Sequence, residues 1–173
     1  VFEPLVGRFV RPLVVLMYYV SYHAFGLAPW PYHLATLIPH FINAWLVYLV
    51  ARRLAGPGVD LWAFLSGLLF LVFAGHSEAV SWPAGIADPI LTVCLLTAFL
   101  CYLRALEPGA SALWLGGMCA AVVVGSLAKE LWVVFPGLLA AHIVSFGMLA
   151  DRPARRRALI ALAVTCTLVA SYL

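Results

Sequence analysis

Three groups of polar residues interrupt a largely apolar chain, and each contains side chains that could do chemistry. The first group is a stripe of His33, Thr36, His40 and Asn43. Offsets of three, seven and ten residues place all four on one face of a helix. In a bilayer such side chains commonly form hydrogen bonds between helices. Two alternatives are that His33 lines a polar cavity and that the two histidines hold a metal ion.

The second group lies in the segment HSEAVSWPAGIAD, residues 76–88. This short connection holds an imidazole, two carboxylates and an indole. His76 and Glu78 could bind a metal ion or orient a substrate hydroxyl. Trp82 could instead be an anchor at the membrane interface. Asp88, which directly precedes a proline, suits the N-cap of a following helix.

The third group consists of charged residues in apolar surroundings. Lys129 and Glu130 are adjacent, and no other acidic or basic residue occurs from position 112 until His142. Charges next to hydrocarbon usually pair or serve a site, although a polar turn between two helices would contain them too. Arg8 and Arg11 would share a helix face. Two guanidinium groups can donate bidentately to a phosphate or pyrophosphate.

The chain that must position these groups has the composition of a membrane protein. Hydrophobic residues make up 65% of it and charged residues 10%, against about 25% charged residues in soluble domains. Many apolar runs approach the roughly 20 residues that a transmembrane helix needs. We therefore predict an all-α, polytopic transmembrane helical bundle with six or seven apolar helices. The predicted spans are 32–50, 61–75, 89–106, 112–128, 131–149 and 158–173, with a shorter apolar stretch at 12–27.

Arginines between the predicted spans indicate which side faces the cytoplasm. They lie at the ends of the first and third spans and in the loop before the last one, namely Arg52, Arg53, Arg104, Arg152, Arg155, Arg156 and Arg157. If the spans alternate in direction, all these positions fall on one side, which the positive-inside rule makes cytoplasmic. The groups around His76, Asp88 and Lys129 then face the opposite side.

Residues 1–31 are predicted to belong to an external loop with a juxtamembrane helix. Residues 32–173 are predicted to form the transmembrane bundle, which we expect to continue beyond both ends. The stretch 12–27 decides where Arg8 and Arg11 lie: both are cytoplasmic if it spans the membrane, and both join the outer polar groups if it is an interfacial helix. Its three tyrosines, one serine and one histidine favour the interfacial alternative.

The cysteine spacing and the absence of a basic tract argue against several kinds of site. The four cysteines lie in apolar runs without CxxC spacing, so they indicate neither a zinc site nor a disulfide framework and are interpreted as packing residues. The net charge of +3 is small and says little about partners. The sequence has no basic tract, which argues against a nucleic-acid partner. No cofactor is indicated; a divalent metal is compatible with the polar residues but is not required by them.

A series of short motifs runs through the chain in a definite order. They are Arg11-Pro12-Leu13, GLAPWPYH at 26–33, HFINA at 40–44, HSEAVSW at 76–82 with Gly85 and Asp88, and AKE at 128–130 with Pro136. Their order and spacing over residues 8–140 resemble the membrane half of the tetratricopeptide-containing protein O-mannosyltransferases and their bacterial relatives, which are GT-C glycosyltransferases. The chain departs from the family pattern in three ways. Ile86 replaces an arginine, Thr36 replaces an asparagine, and the His-Pro pair expected before the His76-Ser-Glu78 element is absent.

The resemblance implies transfer of a monosaccharide from a polyprenyl-phosphate-linked donor to a hydroxyl of a protein or glycan acceptor. It places the reaction at the non-cytoplasmic membrane face, for which we expect the bacterial inner membrane, and the general base upstream of residue 1. Donor phosphate binding is assigned to Arg8, Arg11 and Lys129. The residues expected to line the substrate site are His33, His76, Glu78, Asp88 and Glu130.

Two other functions are compatible with the same pattern. A transporter or flippase for a lipid-linked or small polar molecule would line its path with the polar face. A non-catalytic membrane scaffold would use the same residues for helix packing. Internal symmetry among the spans would favour transport, and an acidic pair in the first external loop would favour the transferase.

Overall fold

A computed structural model describes residues 11–146 and 152–172, and all regular secondary structure in these residues is helical. The α-helices are α1 (Pro12–Phe25), α2 (Pro29–Ala55), α3 (Asp60–Val72), α4 (Ser77–Ser81), α5 (Ala87–Ala105), α6 (Leu113–Ser126), α7 (Phe135–Ser145) and α8 (Arg152–Tyr172). Three 3-10 segments connect some of them, at Ala74–His76, Pro83–Ile86 and Glu130–Val134. The all-α prediction is confirmed.

Two helical segments in the described part of the chain are long and apolar enough to cross a membrane. They are α2, with 27 residues, and the segment Pro83–Ala105, with 23. At about 1.5 Å per residue, α2 is about 40 Å long. A third crossing would result if α3 and the segment Ala74–Ser81, which are bent by 46° relative to each other, act as one broken span. The chain is thus membrane-integral, and the count of six or seven spans remains a prediction.

The core of the bundle is built around α5, which packs against α2 on one side and α6 on the other. Ala98 and Tyr102 of α5 are completely buried. Met118 of α6 and Phe135 of α7 are also completely buried and belong to the same cluster. Because small and large side chains interdigitate here, the helix axes can approach closely and bury their shared face.

The outward faces of the helices remain strongly apolar. On α3 the exposed large side chains are Leu61, Trp62, Phe64, Leu65, Leu68, Leu69 and Val72. Soluble monomers rarely leave continuous apolar patches of this kind uncovered. Since hydrocarbon imposes no such cost, this surface agrees with the membrane prediction made from composition.

Gly67 allows α3 to approach α2. A Cβ at this position would lie 2.7 Å from the carbonyl oxygen of Ala44 and 3.1 Å from the Cβ of Tyr48. Because the first contact is with backbone, a side chain can be accommodated only if the helices separate. We expect Gly67→Leu to lower the free energy of unfolding by about 1–3 kcal/mol, measured by thermal unfolding in detergent. Gly116→Leu is the control, since a Cβ there meets nothing within 4 Å, and an equal loss in both variants would contradict this packing.

The connection between α3 and α5 differs from its prediction. The sequence predicts only a short connection between the spans 61–75 and 89–106, whereas the structure has short helical turns there, including α4. Gly85 lets the second 3-10 segment pack on α4, since a Cβ there would lie 3.2 Å from the Cα of Ala79. The N-cap position of α5 is Ile86, and Asp88 lies in the first helical turn. The N-cap interpretation of Asp88 is therefore wrong, and its carboxylate is available for another partner.

Several arginine-bearing turns converge at the C-terminal end of α5. Arg53 forms an ion pair with Glu107. Arg157 donates hydrogen bonds to the carbonyl oxygens of Ala105, at 2.8 Å, and Glu107, at 2.9 Å. We call this region the arginine end of the bundle. Its defining residues are Arg52, Arg53, Arg104, Glu107 and Arg157.

The arginine end lies far from Asp88. Asp88 precedes Arg104 by 16 positions on the same helix, which corresponds to about 24 Å along the axis. The polar side chains near the start of α5 and the arginines near its end therefore occupy opposite ends of the bundle. This separation is what the predicted sidedness requires.

Candidate functional site

Charged side chains from three parts of the chain meet near the start of α5. We call this group the charged cluster; it consists of Arg11, Asp88, Lys129 and Glu130. The start of α1 is attached here by the backbone N–H of Leu13, which donates to the carbonyl oxygen of residue 127 at 3.1 Å. The helical backbone is interrupted at Lys129, whose φ and ψ of −161° and 146° are extended. Because of this interruption, the two neighbours at positions 129 and 130 reach different partners.

Arg11 holds Glu130 with a forked set of hydrogen bonds. Its Nη2 lies 2.9 Å from Oε1 and 3.1 Å from Oε2, and its Nε lies 3.3 Å from Oε2. The two side chains are 37% and 30% exposed, so solvent screens the pair and its contribution to stability is modest. The fork does orient the guanidinium. Nη1 forms no hydrogen bond with any other described residue, so it remains available as a donor.

Lys129 forms the second ion pair of the cluster. Its Nζ lies 2.5 Å from Oδ1 of Asp88. The lysine side chain is only 17% exposed, whereas that of Asp88 is 45% exposed. An ammonium has three N–H donors, and the carboxylate uses one of them. Lys129 is therefore a largely buried cation that can still donate to a ligand.

The charged cluster is suited to binding an anion that carries several acceptor oxygens. Two cations alternate with two carboxylates, so the group is neutral when both ion pairs are formed. The carboxylates keep the cations charged and oriented, while each cation retains unused donors. In a partly buried site these charges act through a lower dielectric than in water, which strengthens their effect on a phosphate. The arrangement could therefore bind a phosphate group and stabilise negative charge that develops on it.

Glu130 gives the cluster a dependence on pH that can be measured. The pKa of its carboxyl lies below the usual 4.5, chiefly because its own backbone N–H donates to it; Arg11 and Lys129 add to this effect, and partial burial opposes it. The stabilisation linked to this lowered pKa is fully present when the pH is above the pKa of the carboxyl in the unfolded chain. It is lost as the pH falls through the pKa of the carboxyl in the folded protein. We expect acidification below pH 4.5 to lower the unfolding temperature of the wild type more than that of Glu130→Gln. Equal acid sensitivity of the two proteins would contradict this assignment.

His76 is held by the end of α3 rather than by the charged cluster. The last carbonyl groups of α3 lack helical partners because the helix ends at Val72. Nδ1 of His76 lies 3.0 Å from the carbonyl oxygen of Phe70, and Nε2 of His40 lies 3.1 Å from that of Leu71. A carbonyl can only accept, so each of these nitrogens must carry a proton. The two imidazoles thus cap the C-terminus of α3.

Thr36 and Asn43 also bond to backbone carbonyl groups. Thr36 Oγ1 donates to the carbonyl oxygen of Val80 at 2.7 Å, and Asn43 Nδ2 donates to that of Pro89 at 2.9 Å. Both side chains are almost fully buried, at 0% and 1% exposure. The stripe on α2 therefore attaches the connection between α3 and α5, and the start of α5, to α2. For the three buried members of the stripe, this is the role that the helix-packing interpretation predicts.

Tyr18 is a positioning residue that the sequence analysis did not single out. Its hydroxyl donates to the carbonyl oxygen of Pro83 at 2.7 Å, which ties the middle of α1 to the 3-10 segment before α5. The signal in the sequence was the group of tyrosines in α1, which was interpreted only as evidence for an interfacial helix. The partner could not be foreseen, because every residue carries a carbonyl group.

Four of the eight predicted site residues come together, and the others lie apart or outside the described residues. Arg11, Asp88, Lys129 and Glu130 form the charged cluster. The side chains of His33 and Glu78 are exposed and form no hydrogen bond or ion pair with other described residues. Arg8 lies outside the described residues. Within residues 11–146 and 152–172, no three histidine, cysteine, aspartate or glutamate side chains are close enough together to hold a metal ion.

Sequence comparison relates the chain to animal proteins. Protein O-mannosyl-transferase Tmtc1 of Drosophila melanogaster is 43% identical over 94 residues, which cover 54% of this chain and 11% of the relative. TMTC2 of Mus musculus is 34% identical over 94 residues, with the same coverage of 54% and 11%. TMTC3 of Homo sapiens is 30% identical over 136 residues, covering 78% of this chain and 14% of the relative. The matched region thus spans a small part of each relative's length.

These similarities agree with the resemblance that the order of motifs indicated. No family model matches the chain, and no solved structure matches it. The relatives named above come from an insect and two mammals, so the comparison gives no support to the expected bacterial inner membrane. The expected location is therefore corrected: the chain is an integral membrane protein, and no bacterial membrane is assigned to it.

Proposed function

We propose that this chain, which is related in sequence to the TMTC protein O-mannosyl-transferases, forms part of the membrane domain of a glycosyltransferase. The enzyme transfers a monosaccharide from a polyprenyl-phosphate-linked donor to a hydroxyl of a protein or glycan acceptor. The reaction takes place at the non-cytoplasmic membrane face, on which we place the charged cluster.

The observation that carries this proposal is the pair of partly satisfied cations in the charged cluster. Lys129 and Arg11 come from distant parts of the sequence, yet both lie near the start of α5. Each has N–H groups that donate to no described residue. A purely structural contact would need a single ion pair of one cation and one carboxylate. Here two ion pairs involve the neighbouring residues Lys129 and Glu130. Two neighbouring cations suit a phosphate that gains charge as its bond to the sugar breaks.

The chemical step follows from that electrostatic role. The bond between the anomeric carbon and the phosphate oxygen breaks, and the phosphate leaves with the electron pair. The acceptor hydroxyl oxygen bonds to the anomeric carbon from the opposite face, and its proton passes to a carboxylate acting as general base. By the family resemblance, this base belongs to the loop before the Arg11-Pro12-Leu13 motif. Lys129 and Arg11 stabilise the departing phosphate, and Asp88 and Glu130 hold them in position.

The placement of α1 supports a surface location for the donor head group. With 14 residues, α1 is about 21 Å long, which is shorter than the roughly 30 Å of hydrocarbon in a bilayer. Its exposed face includes Val15, Leu16 and Tyr19, and its first turn is attached to the charged cluster. We place α1 along the membrane surface, where it would bring Arg11 to the level of lipid phosphates.

The function can be tested with the full-length protein reconstituted in liposomes. The donor is polyprenyl-phosphate mannose with a radiolabelled sugar, and the acceptor is a peptide rich in serine and threonine. We expect label to become covalently attached to the peptide. A control with free labelled mannose excludes non-specific retention of the sugar.

Three outcomes separate the competing functions. Labelled peptide supports the transferase. Movement of the labelled lipid between leaflets without labelled peptide contradicts it and favours a flippase. Neither transfer nor movement, in a protein that remains folded by thermal unfolding, contradicts both and favours a scaffold.

A further inference from the structure

A basic cavity of about 700 Å³ opens at the arginine end, on the opposite side of the bundle from the charged cluster. It lies between α2 and α5 and is bordered by the turn before α3 and by the first residues of α6. Three guanidinium groups line it, those of Arg52, Arg53 and Arg104, and Trp114 forms one wall. The proposed transferase site uses none of these residues.

Two carboxylates do not neutralise the three arginines of this cavity. Asp60 Oδ1 lies 2.7 Å from Nε of Arg52, and Glu107 pairs with Arg53. The guanidinium of Arg104 comes no nearer than 4.0 Å to the carboxylate of Glu107 and donates no hydrogen bond within the described part of the chain. Three positive and two negative groups leave one positive charge.

Arg104 is the side chain best placed to receive an anion. Its guanidinium carbon lies 5.8 Å from the ring centroid of Trp114, a cation–π arrangement that limits its motion. No N–H of this guanidinium donates to a described residue, so its donors remain available. A planar fork of free donors matches the oxygens of a phosphate.

An apolar groove of about 490 Å³ adjoins the basic cavity. Asp60 lines both spaces, so the groove and the cavity are neighbours at this residue. The groove runs between α2 and α3 past Trp45, Phe64 and Leu68. Arg52 lies seven positions after Trp45, which puts both on one face of α2. Basic groups at one end and an apolar channel beyond them form a single amphipathic site.

We propose that this site binds an anionic phospholipid. The phosphate of its head group contacts Arg104 and Arg52, and one acyl chain lies in the groove between α2 and α3. Basic pockets on the positive side of a membrane protein are at the depth of lipid head groups. The adjoining groove favours a lipid over a soluble phosphate compound, because only a lipid fills both spaces. The inference does not depend on the proposed transferase activity.

Lipid retention by the full-length protein tests the proposal. The protein is purified in detergent, mixed with phosphatidylglycerol or phosphatidylcholine of identical acyl chains, and examined by native mass spectrometry. We expect preferential retention of phosphatidylglycerol. Arg104→Gln should reduce that retention about fivefold, the effect of one arginine beside an anionic head group. Arg156→Gln, which removes an equal charge from an exposed position on α8, should leave it unchanged.

A second variant tests the groove. Leu68→Trp adds volume in the groove at a position that is 42% exposed, so it should lower lipid retention while the unfolding temperature stays near that of the wild type. Equal retention of the two lipids, or equal losses in Arg104→Gln and Arg156→Gln, would overturn the proposal. Displacement of the lipid by an equal concentration of glycerol 3-phosphate would also overturn it, because the site would then recognise a soluble phosphate.

Discussion

Replacing Lys129 with methionine is expected to lower the turnover number of the proposed transfer reaction in the full-length protein by about 100- to 1000-fold, the range seen when one donor to a developing anion is removed. Methionine keeps most of the apolar length of the side chain but removes the charge. The lysine is 17% exposed, so its charge acts with little screening by water. The measurement is the initial rate of transfer from labelled polyprenyl-phosphate mannose at saturating donor.

One further variant separates catalysis by Lys129 from its structural pairing with Asp88. Lys129→Met leaves the carboxylate of Asp88 without its cation, which could by itself disturb the fold. The double variant Asp88→Asn/Lys129→Met removes both charges, so its unfolding temperature should return toward that of the wild type while its turnover stays low. Recovery of turnover together with stability would show that Lys129 is only a structural partner.

Replacing Arg11 with glutamine is expected to lower the transfer rate by about 10- to 100-fold, in keeping with the loss of one charged hydrogen bond. Its Nη1 is the donor left unused by Glu130, and this donor is available for a second oxygen of the same phosphate. Arg11→Lys should recover only part of the rate, because an ammonium cannot bond to Glu130 and the phosphate with the same fork. The effect should fall mainly on the rate at saturating donor.

Glu130→Gln is the matched control for Arg11. This variant breaks the same ion pair by removing the carboxylate of Glu130, and it leaves the guanidinium of Arg11 in place. If Arg11 contacts the donor phosphate, Arg11→Gln should reduce the rate far more than Glu130→Gln, and the double variant should be no better than Arg11→Gln. If the ion pair only fixes α1 to the bundle, the two single variants should be equally impaired, which would contradict the proposed role.

The membrane class and the positions of the helices could be predicted from sequence because they depend on local properties. The run of apolar residues that predicted a span at 32–50 corresponds to α2, which extends three residues earlier and five later. Hydropathy detects the apolar part of a helix but not the turns that extend beyond the hydrocarbon, which explains the difference in length. The same local signal did not resolve the connection at 75–88, where short helical turns alternate with breaks.

The candidate site could be predicted only in part, because ion pairs and carbonyl contacts join distant residues. Sequence order identified Lys129 and Glu130 as unusual charges but could not pair them with Asp88 and Arg11, which lie far away along the chain. His76 was chosen for its chemistry, yet an imidazole N–H also satisfies an unpaired helix carbonyl, and the structure uses it in this way. Its assignment to the substrate site therefore stays a prediction.

The central claim is that the charged cluster faces the non-cytoplasmic side while the arginine end faces the cytoplasm. Single cysteines are introduced at Ser77, Ser126 and Ser111 in a full-length protein whose native cysteines, including the four of this chain, are replaced by alanine. Intact cells are then treated with a membrane-impermeant maleimide. We predict labelling at positions 77 and 126 in intact cells and at 111 only after permeabilisation. Labelling of 126 and 111 from the same side would contradict the account.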